Sequence, residues 1–276
     1  MPLDHQGALT LVTGASSGIG AEFARQLARR GSDLVLVARR ADRLEALAAE
    51  LKAAHGVTVT VLACDLTAPN AVAHVAAELR ERGLRPTGLV NNAGFGTNAP
   101  FAQEKPEQLR TEIALDVQAV VELTRTFIED LRAADRGVLI NVASMAAYTP
   151  VPWMAVYGAA KAFVLSFTEA LWYEYRGTGL RVLALSPGAT GTEFFDTAGA
   201  EAASGRRLQT PRQVVETALR ALDRRNPPPS IAVGRANRLM LGLGRLASRK
   251  RSVMLMGRLT ASGATTVPAT TPQPAR

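Results

Sequence analysis

The sequence predicts an α/β protein: a doubly wound parallel sheet, covered by helices on both faces and folded as a single domain. Three observations predict it. Apolar, β-favouring runs alternate with amphipathic helical stretches along 1–234. The first run passes at once into a glycine-rich turn, TGASSGIG at 13–20, and then into a helix. The 276 residues are 47% apolar, enough for one large core, and no linker-like stretch divides 1–234.

The elements follow in order. ALTLVT (8–13) is the first strand, and AEFARQLARRG carries apolar positions at helical spacing with Gly31 as its stop. LVLVAR (34–39) is the second strand, followed by the helix ADRLEALAAELKAAHG. VTVTVLACDL is the third strand, NAVAHVAAELRERG the third helix and GLVNNAG the fourth strand. A long helix is expected over 106–132, a fifth strand over 137–144 and a helix over 153–176. LRVLALSPG is the sixth strand. A helix over 211–225 opens on Thr210 as N-cap and Pro211 as first helical residue. SIAVG (230–234), after Pro227-Pro228-Pro229, is the seventh strand. Alternation of this kind implies a parallel sheet with right-handed crossovers. Beyond the single domain at 1–234, a basic amphipathic helical extension is expected at 235–259 and a disordered tail at 260–276.

Charge is unevenly placed. Residues 206–276 hold 14 Lys/Arg and 2 Asp/Glu, whereas 1–205 hold 18 and 22, which returns the overall +8. A nucleic-acid function would rest on the basic quarter alone, which has no recognisable module or interleaved aromatics, so none is expected. Three scattered histidines make no ligand cluster, and no metal is expected. Cys64 is the single cysteine and reads as a core thiol. The residues after Met1 include Pro2, Asp4 and His5 rather than an apolar signal core, and no run matches a membrane span. The expected location is cytoplasmic and reducing.

Gly14, Ser16, Ser17, Gly18, Ile19 and Gly20 form a turn in which backbone can approach a pyrophosphate at a helix N-terminus. The end of the second strand selects the cofactor. An acid there suits the ribose hydroxyls of NAD; this chain has Arg39 and Arg40, which suit a 2′-phosphate, so NADP is expected over NAD. Asp65 and Leu66 follow the third strand at the height of an adenine ring, with helix capping through Thr67 as a compatible role for Asp65. Asn92, Ala93 and Gly94 follow the fourth strand, on the same carboxyl edge.

Tyr157 and Lys161 are four apart and share a helix face, thirteen residues beyond Ser144 at the end of a strand. An ammonium about 4 Å from a phenol favours the phenolate by roughly 4 kcal/mol at an effective dielectric of about 20, before desolvation opposes it. That equals about three pKa units and makes a usable acid/base. Ser144 stands ready to hydrogen-bond the substrate oxygen.

Taken together, TGASSGIG, Asn91-Asn92-Ala93-Gly94, the Ser144–Tyr157-x-x-x-Lys161 set and Pro187-Gly188 resemble the short-chain dehydrogenase/reductase family over about residues 8–195. The resemblance implies a seven-stranded Rossmann-type sheet and reversible hydride transfer to a carbonyl. It implies that Tyr157 is the general acid/base and that Ser144 orients the carbonyl. Lys161 would lower the Tyr157 pKa and hold the nicotinamide ribose. Pro187, Gly188 and Thr192 fit the family's PG-x-x-x-T segment at the nicotinamide end; Thr190 stands where Val or Ile is common, with its backbone amide still able to serve. Where the family has an Asn whose backbone carbonyl joins a proton relay, this chain has Asp116, which keeps the carbonyl and adds a charge near Lys161. A homodimer or homotetramer through the 162–175 helix face is also implied.

Met145, Tyr148, Trp153 and Met154 are expected to shape an apolar pocket, and 192–208, with Phe194 and Phe195, a lid over it. A lipophilic ketone or β-keto acyl substrate follows. Residues 235–258 carry seven basic residues and no acids. They read as packing on the domain or a partner subunit, docking on an anionic membrane surface, or contact with an acidic acyl carrier or acyl-CoA. The rival function is a catalytically idle nucleotide-binding scaffold on the same fold, against which the intact Ser144, Tyr157 and Lys161 speak.

Overall fold

The computed structural model describes residues 5–134, 136–199, 208–244 and 248–260. β1 (Leu9–Thr13) runs into α1 (Gly18–Arg29), β2 (Asp33–Ala38) into α2 (Ala41–His55) and β3 (Val59–Ala63) into α3 (Ala71–Glu81). β4 (Gly88–Asn91) leads to α4 (Pro106–Ile113), which continues through a wide turn, Ala114–Gln118, into α5 (Ala119–Ala133). β5 (Val138–Val142) leads to α6 (Ala155–Glu174), and β6 (Arg181–Ser186) to α7 (Phe194–Ala198) and α8 (Pro211–Leu222). β7 (Ser230–Ala232) is followed by α9 (Arg235–Gly244) and α10 (Arg249–Thr260).

All seven strands are parallel, in the order β3-β2-β1-β4-β5-β6-β7. From β1 the sheet therefore grows one way through β2 and the other way through β4. That reversal leaves a crevice at the carboxyl ends of the strands, where α/β sheets bind ligands. The strands read as unbroken apolar runs because each face is covered. Leu11 and Val12, both fully buried, point to opposite sides: Val12 joins the core under α1, α2 and α8, and Leu11 the core under α3 and α5. Each such side chain contributes about 1.5–3 kcal/mol by leaving water.

A buried polar ladder ties the strand ends to the helices. Asn91 Nδ2 donates to Thr124 Oγ1 (3.0 Å) on α5 and to Asn141 Oδ1 (2.9 Å) on β5. Asn141 Nδ2 in turn donates to Thr168 Oγ1 (2.9 Å) on α6. These donor bonds set the seat of α6 on the sheet, while Asn91 Oδ1 stays buried with no hydrogen-bond partner among the described residues. Thr210 caps α8 as expected, and Gln213 completes a capping box: Gln213 N donates to Thr210 Oγ1 (3.2 Å) and Thr210 N to Gln213 Oε1 (3.1 Å).

Three expectations need adjustment. The long helix over 106–132 forms, but a five-residue π-type turn interrupts it, with Ala119 N bonded to Ala114 O. The helix carrying Tyr157 begins at Ala155, because Trp153 lies in the left-handed region at φ 71°. The expected lid holds the short α7, while its residues 200–207 and the tail at 261–276 lie outside the described residues.

Candidate active site

The strand ends beside the switch point open into one cleft of about 1460 Å³. Gly14, Ser16, Ser17, Gly18 and Ile19 line it from the first turn, and Asn92, Ala93 and Gly94 from the loop after β4. Pro187, Gly188, Thr190 and Thr192 line it from the loop after β6. Gly20 does not. A Cβ there would stand 2.2 Å from Gly14 O and 2.6 Å from Asn92 Nδ2, so its absence lets α1 close on the neighbouring loops. The loop after β6 is stapled by a residue that sequence reasoning passed over. Gln209 Oε1 accepts from Gly188 N (3.0 Å), and Gln209 Nε2 donates to Val233 O (2.9 Å).

One end of the cleft is cationic. Arg39 is exposed at its rim, near Asp65 and Leu66, which also line it. Asp65 accepts from Thr67 N (2.9 Å) and Thr67 Oγ1 (2.7 Å). Burial opposes its ionisation, but these bonds and the Arg39 charge hold the carboxyl below its usual range. Arg40 lies against the first turn, its Nη2 donating to Ser16 Oγ (2.9 Å) and Ser17 Oγ (3.1 Å). The same Nη2 reaches Glu193 Oε2 (2.8 Å), and Arg43 pairs with Glu193 Oε1. Hydrogen bonds from Arg43 and Arg40 pull Glu193 down to about 2. Cys64 is half-buried, packed against the core under α3 and α5 and reaching the cleft edge; burial, then Asp65, pushes its thiol up.

The other end holds the expected trio. Ser144 follows β5, and its Oγ accepts from Ala146 N (3.1 Å) while hydrogen-bonded to Tyr157. Tyr157 is half-buried, its ring 5.2 Å from that of Phe194. Lys161 is buried one turn further along α6, with Nζ donating to Val142 O (3.4 Å). Met145, Tyr148 and Met154 line the cleft as expected, together with Phe194 and Phe195; Trp153 does not. Its carbonyl instead accepts from Ala99 N (2.8 Å). Met240 and Leu241 of α9 and Leu255, Met256 and Leu259 of α10 complete the apolar wall, with Arg238, Arg249 and Arg251 among them.

A nucleotide-sized cleft at the switch point, with Ser, Tyr and Lys at one end and arginines at the other, is the geometry to set beside known proteins. A family model for short chain dehydrogenases matches residues 8–203. The chain belongs to the short-chain dehydrogenase/reductase family. It is similar to sulfoacetaldehyde reductase 2 of Chromohalobacter salexigens, at 38% identity over 216 residues, 76% of this chain and 85% of the relative. It is also similar to 17-beta-hydroxysteroid dehydrogenase type 3 of Homo sapiens, at 31% identity over 192 residues and 69% of this chain. That match spans 61% of the human relative's length. Among solved structures, a short-chain dehydrogenase from Sphingobium yanoikuyae in complex with NADPH superposes with a TM-score of 0.74. It is 35% identical, over 88% of this chain and 97% of that one.

The departure from the family pattern is structural as well as chemical. Asp116, fully buried in the wide turn, sends its side chain to Lys161: Oδ2 lies 2.9 Å from Nζ, and Oδ1 accepts from Phe95 N (3.1 Å). It does not line the cleft but stands behind the lysine. A Cβ on Gly94 would come within 2.9 Å of Asp116 Oδ1 and 3.0 Å of Lys161 Nζ, so only glycine lets the loop lie over the pair. Burial works against the Lys161 ammonium, but Asp116 and Tyr157 hold its proton and raise it overall. Burial likewise pushes Asp116 up, against the pull of Lys161.

This pairing corrects the expected effect on Tyr157. Burial raises the phenol above its ordinary value and outweighs the pull of Lys161 and the Ser144 hydrogen bond. The Lys161 ammonium, 5.6 Å from the ring centroid, is already paired with a carboxylate. A second buried acid, Glu112, lies one turn before Asp116 and was not singled out in the sequence. Only its four-residue spacing from Asp116 signalled it.

Proposed function

We propose that the protein is an NADP-dependent oxidoreductase moving a hydride between the nicotinamide and a carbonyl or alcohol, and that it reduces a lipophilic ketone or β-keto acyl compound. The observation that carries this reading is the convergence of Ser144, Tyr157 and Lys161 on the cleft that also holds the first turn, Arg39 and Arg40. The residues fit a dinucleotide. Ser17 starts α1 without a side-chain cap, so the first N–H groups of the helix face the cleft free for a pyrophosphate. Arg39 at the rim, with Arg40, suits a 2′-phosphate. The nicotinamide, when bound, supplies the hydride.

The chain's own residues handle the proton. Tyr157 gives its phenolic proton to the substrate oxygen as charge builds there. Ser144, whose oxygen already accepts from Ala146 N, uses its own O–H to donate to that same oxygen. Lys161 remains an ammonium because Asp116 holds it, and its charge favours the phenolate left behind. Met145, Val151, Met154, Phe194 and Met256 keep water from the reacting end and favour an apolar substrate body.

A ketone panel with NADPH and NADH tests the reading. NADPH oxidation is expected with at least one bulky apolar ketone, and Tyr157→Phe is expected to lower kcat by about 10²–10⁴-fold with NADPH binding retained. NADPH binding without turnover of any ketone would favour the idle-scaffold alternative.

A further inference from the structure

We infer that Glu112 is a positioning residue for the acid/base chemistry: with Asp116 it forms a pair of buried acids behind Lys161, and its proton tunes how readily Tyr157 gives up its own. The inference rests on the proposed reductive reaction. Glu112 and Asp116 are both fully buried, and Lys161 is nearly so. One ammonium therefore serves two acids. Asp116 takes it, at 2.9 Å. Glu112 Oε2 accepts from Thr97 N (3.3 Å) and Thr97 Oγ1 (3.0 Å), whereas Glu112 Oε1 is buried with no hydrogen-bond partner among the described residues.

An ionised carboxylate buried with one oxygen unserved is expensive; a neutral carboxyl in the same place is far less so. The resting set is thus Lys161 ammonium, Asp116 carboxylate and Glu112 carboxyl, with no net charge. The titratable groups around Glu112 are Asp116 on the same helix, Glu104 before α4, and Lys161 and Tyr157 on α6. The loop from β4 brings only neutral donors, Phe95 N and Thr97. Burial above all, with the Asp116 and Glu104 charges adding and Thr97 opposing, pushes Glu112 up to about 7.

Loss of that proton leaves the set with one net negative charge. Glu112 as a carboxylate raises the proton affinity of both Tyr157 and Lys161. A phenol that holds its proton more tightly is a weaker general acid, so reduction slows as pH rises through neutrality.

The test compares wild type with Glu112→Gln, in which an amide oxygen still accepts from Thr97. At saturating NADPH, kcat for ketone reduction is expected to fall about threefold or more from about pH 6 to about pH 8 in wild type and to stay nearly flat in Glu112→Gln. Thr97→Val, which removes one donor favouring the carboxylate, is expected to move the fall to higher pH and serves if the glutamine variant does not fold. Identical profiles in wild type and both variants overturn the inference. The infrared band of a protonated carboxyl at about pH 6, lost in Glu112→Gln, reads the proton without turnover. Its absence overturns the inference whatever the ketone panel shows. A band without turnover of any ketone overturns instead the reductase reading on which the rate effect rests.

Discussion

The two ends of the cleft carry mirrored charge clusters. At one end a single cation, Lys161, faces two acids, Asp116 and Glu112. At the other, one carboxylate, Glu193, pairs with two cations, Arg40 and Arg43. The count is the same and the outcome is opposite, because burial differs. Asp116 and Glu112 are fully buried, and Glu112 is pushed up to about 7. Glu193 is 40% exposed and is pulled down to about 2. Where water is absent, the surplus acid keeps its proton; where water solvates the cluster, the acid ionises and the pair is screened.

The largest effect expected from this contrast is at Asp116. Asp116→Ala leaves the Lys161 ammonium buried with Val142 O as its one hydrogen-bond acceptor among the described residues, and stability measured by denaturant unfolding should drop by about 3–5 kcal/mol. Asp116→Asn keeps an acceptor for Phe95 N and should lose clearly less. A negligible loss in Asp116→Asn, which also removes the charge, would show that the charge pair is not what holds this end together.

Next comes the pH dependence of stability. The folded Glu112 titrates at about 7 against 4.5 for the free side chain, so ionisation is opposed in the folded protein. The stability this proton supports is fully present below about pH 4.5 and is lost as pH rises through about 7, by about 3 kcal/mol in all. Unfolding curves from about pH 4 to about pH 8 should therefore show wild type losing stability relative to Glu112→Gln. A constant difference between the two would remove burial as the cause of the contrast.

How much of this was legible in the chain differs element by element. The strands were legible because a parallel sheet buries both faces, so LVLVA or VLINV reads as a continuous apolar run. Tyr157 and Lys161 were legible because helix spacing alone puts them on one face. Asp116 was visible as a departure, but its contact with Lys161 depends on a wide turn that no spacing rule shows. Glu193 meets Arg40 and Arg43 from about 150 positions away in the chain, which no local pattern encodes. The direction of the Tyr157 shift was also out of reach. It is decided by how much water the packed cleft excludes, and that quantity exists only once Phe194, Gly96 and the loop from β4 close on the ring.

At the cationic end the effects are smaller and fall on binding. Arg39→Glu should raise KM for NADPH by roughly tenfold to thirtyfold and leave that for NADH within about twofold, as steady-state kinetics with each cofactor would show. Equal effects on the two cofactors would detach Arg39 from the 2′-phosphate.

The smallest expected effect is the most telling about the contrast. Glu193 is an anion already resting on Arg40, against Ser16 and Ser17 of the turn where a dinucleotide's own anions are expected. A carboxylate in that place competes with an incoming phosphate for the same guanidinium. Glu193→Gln should therefore lower KM for NADPH by about twofold to threefold at low salt, with the advantage fading at high ionic strength. Unfolding stability at neutral pH should barely change, because exposed ion pairs add little. A rise in KM would mean that Glu193 closes over the cofactor as a clamp instead of competing with it. A salt-independent effect would mean that this end of the cleft is as dry as the end where Lys161 is sealed.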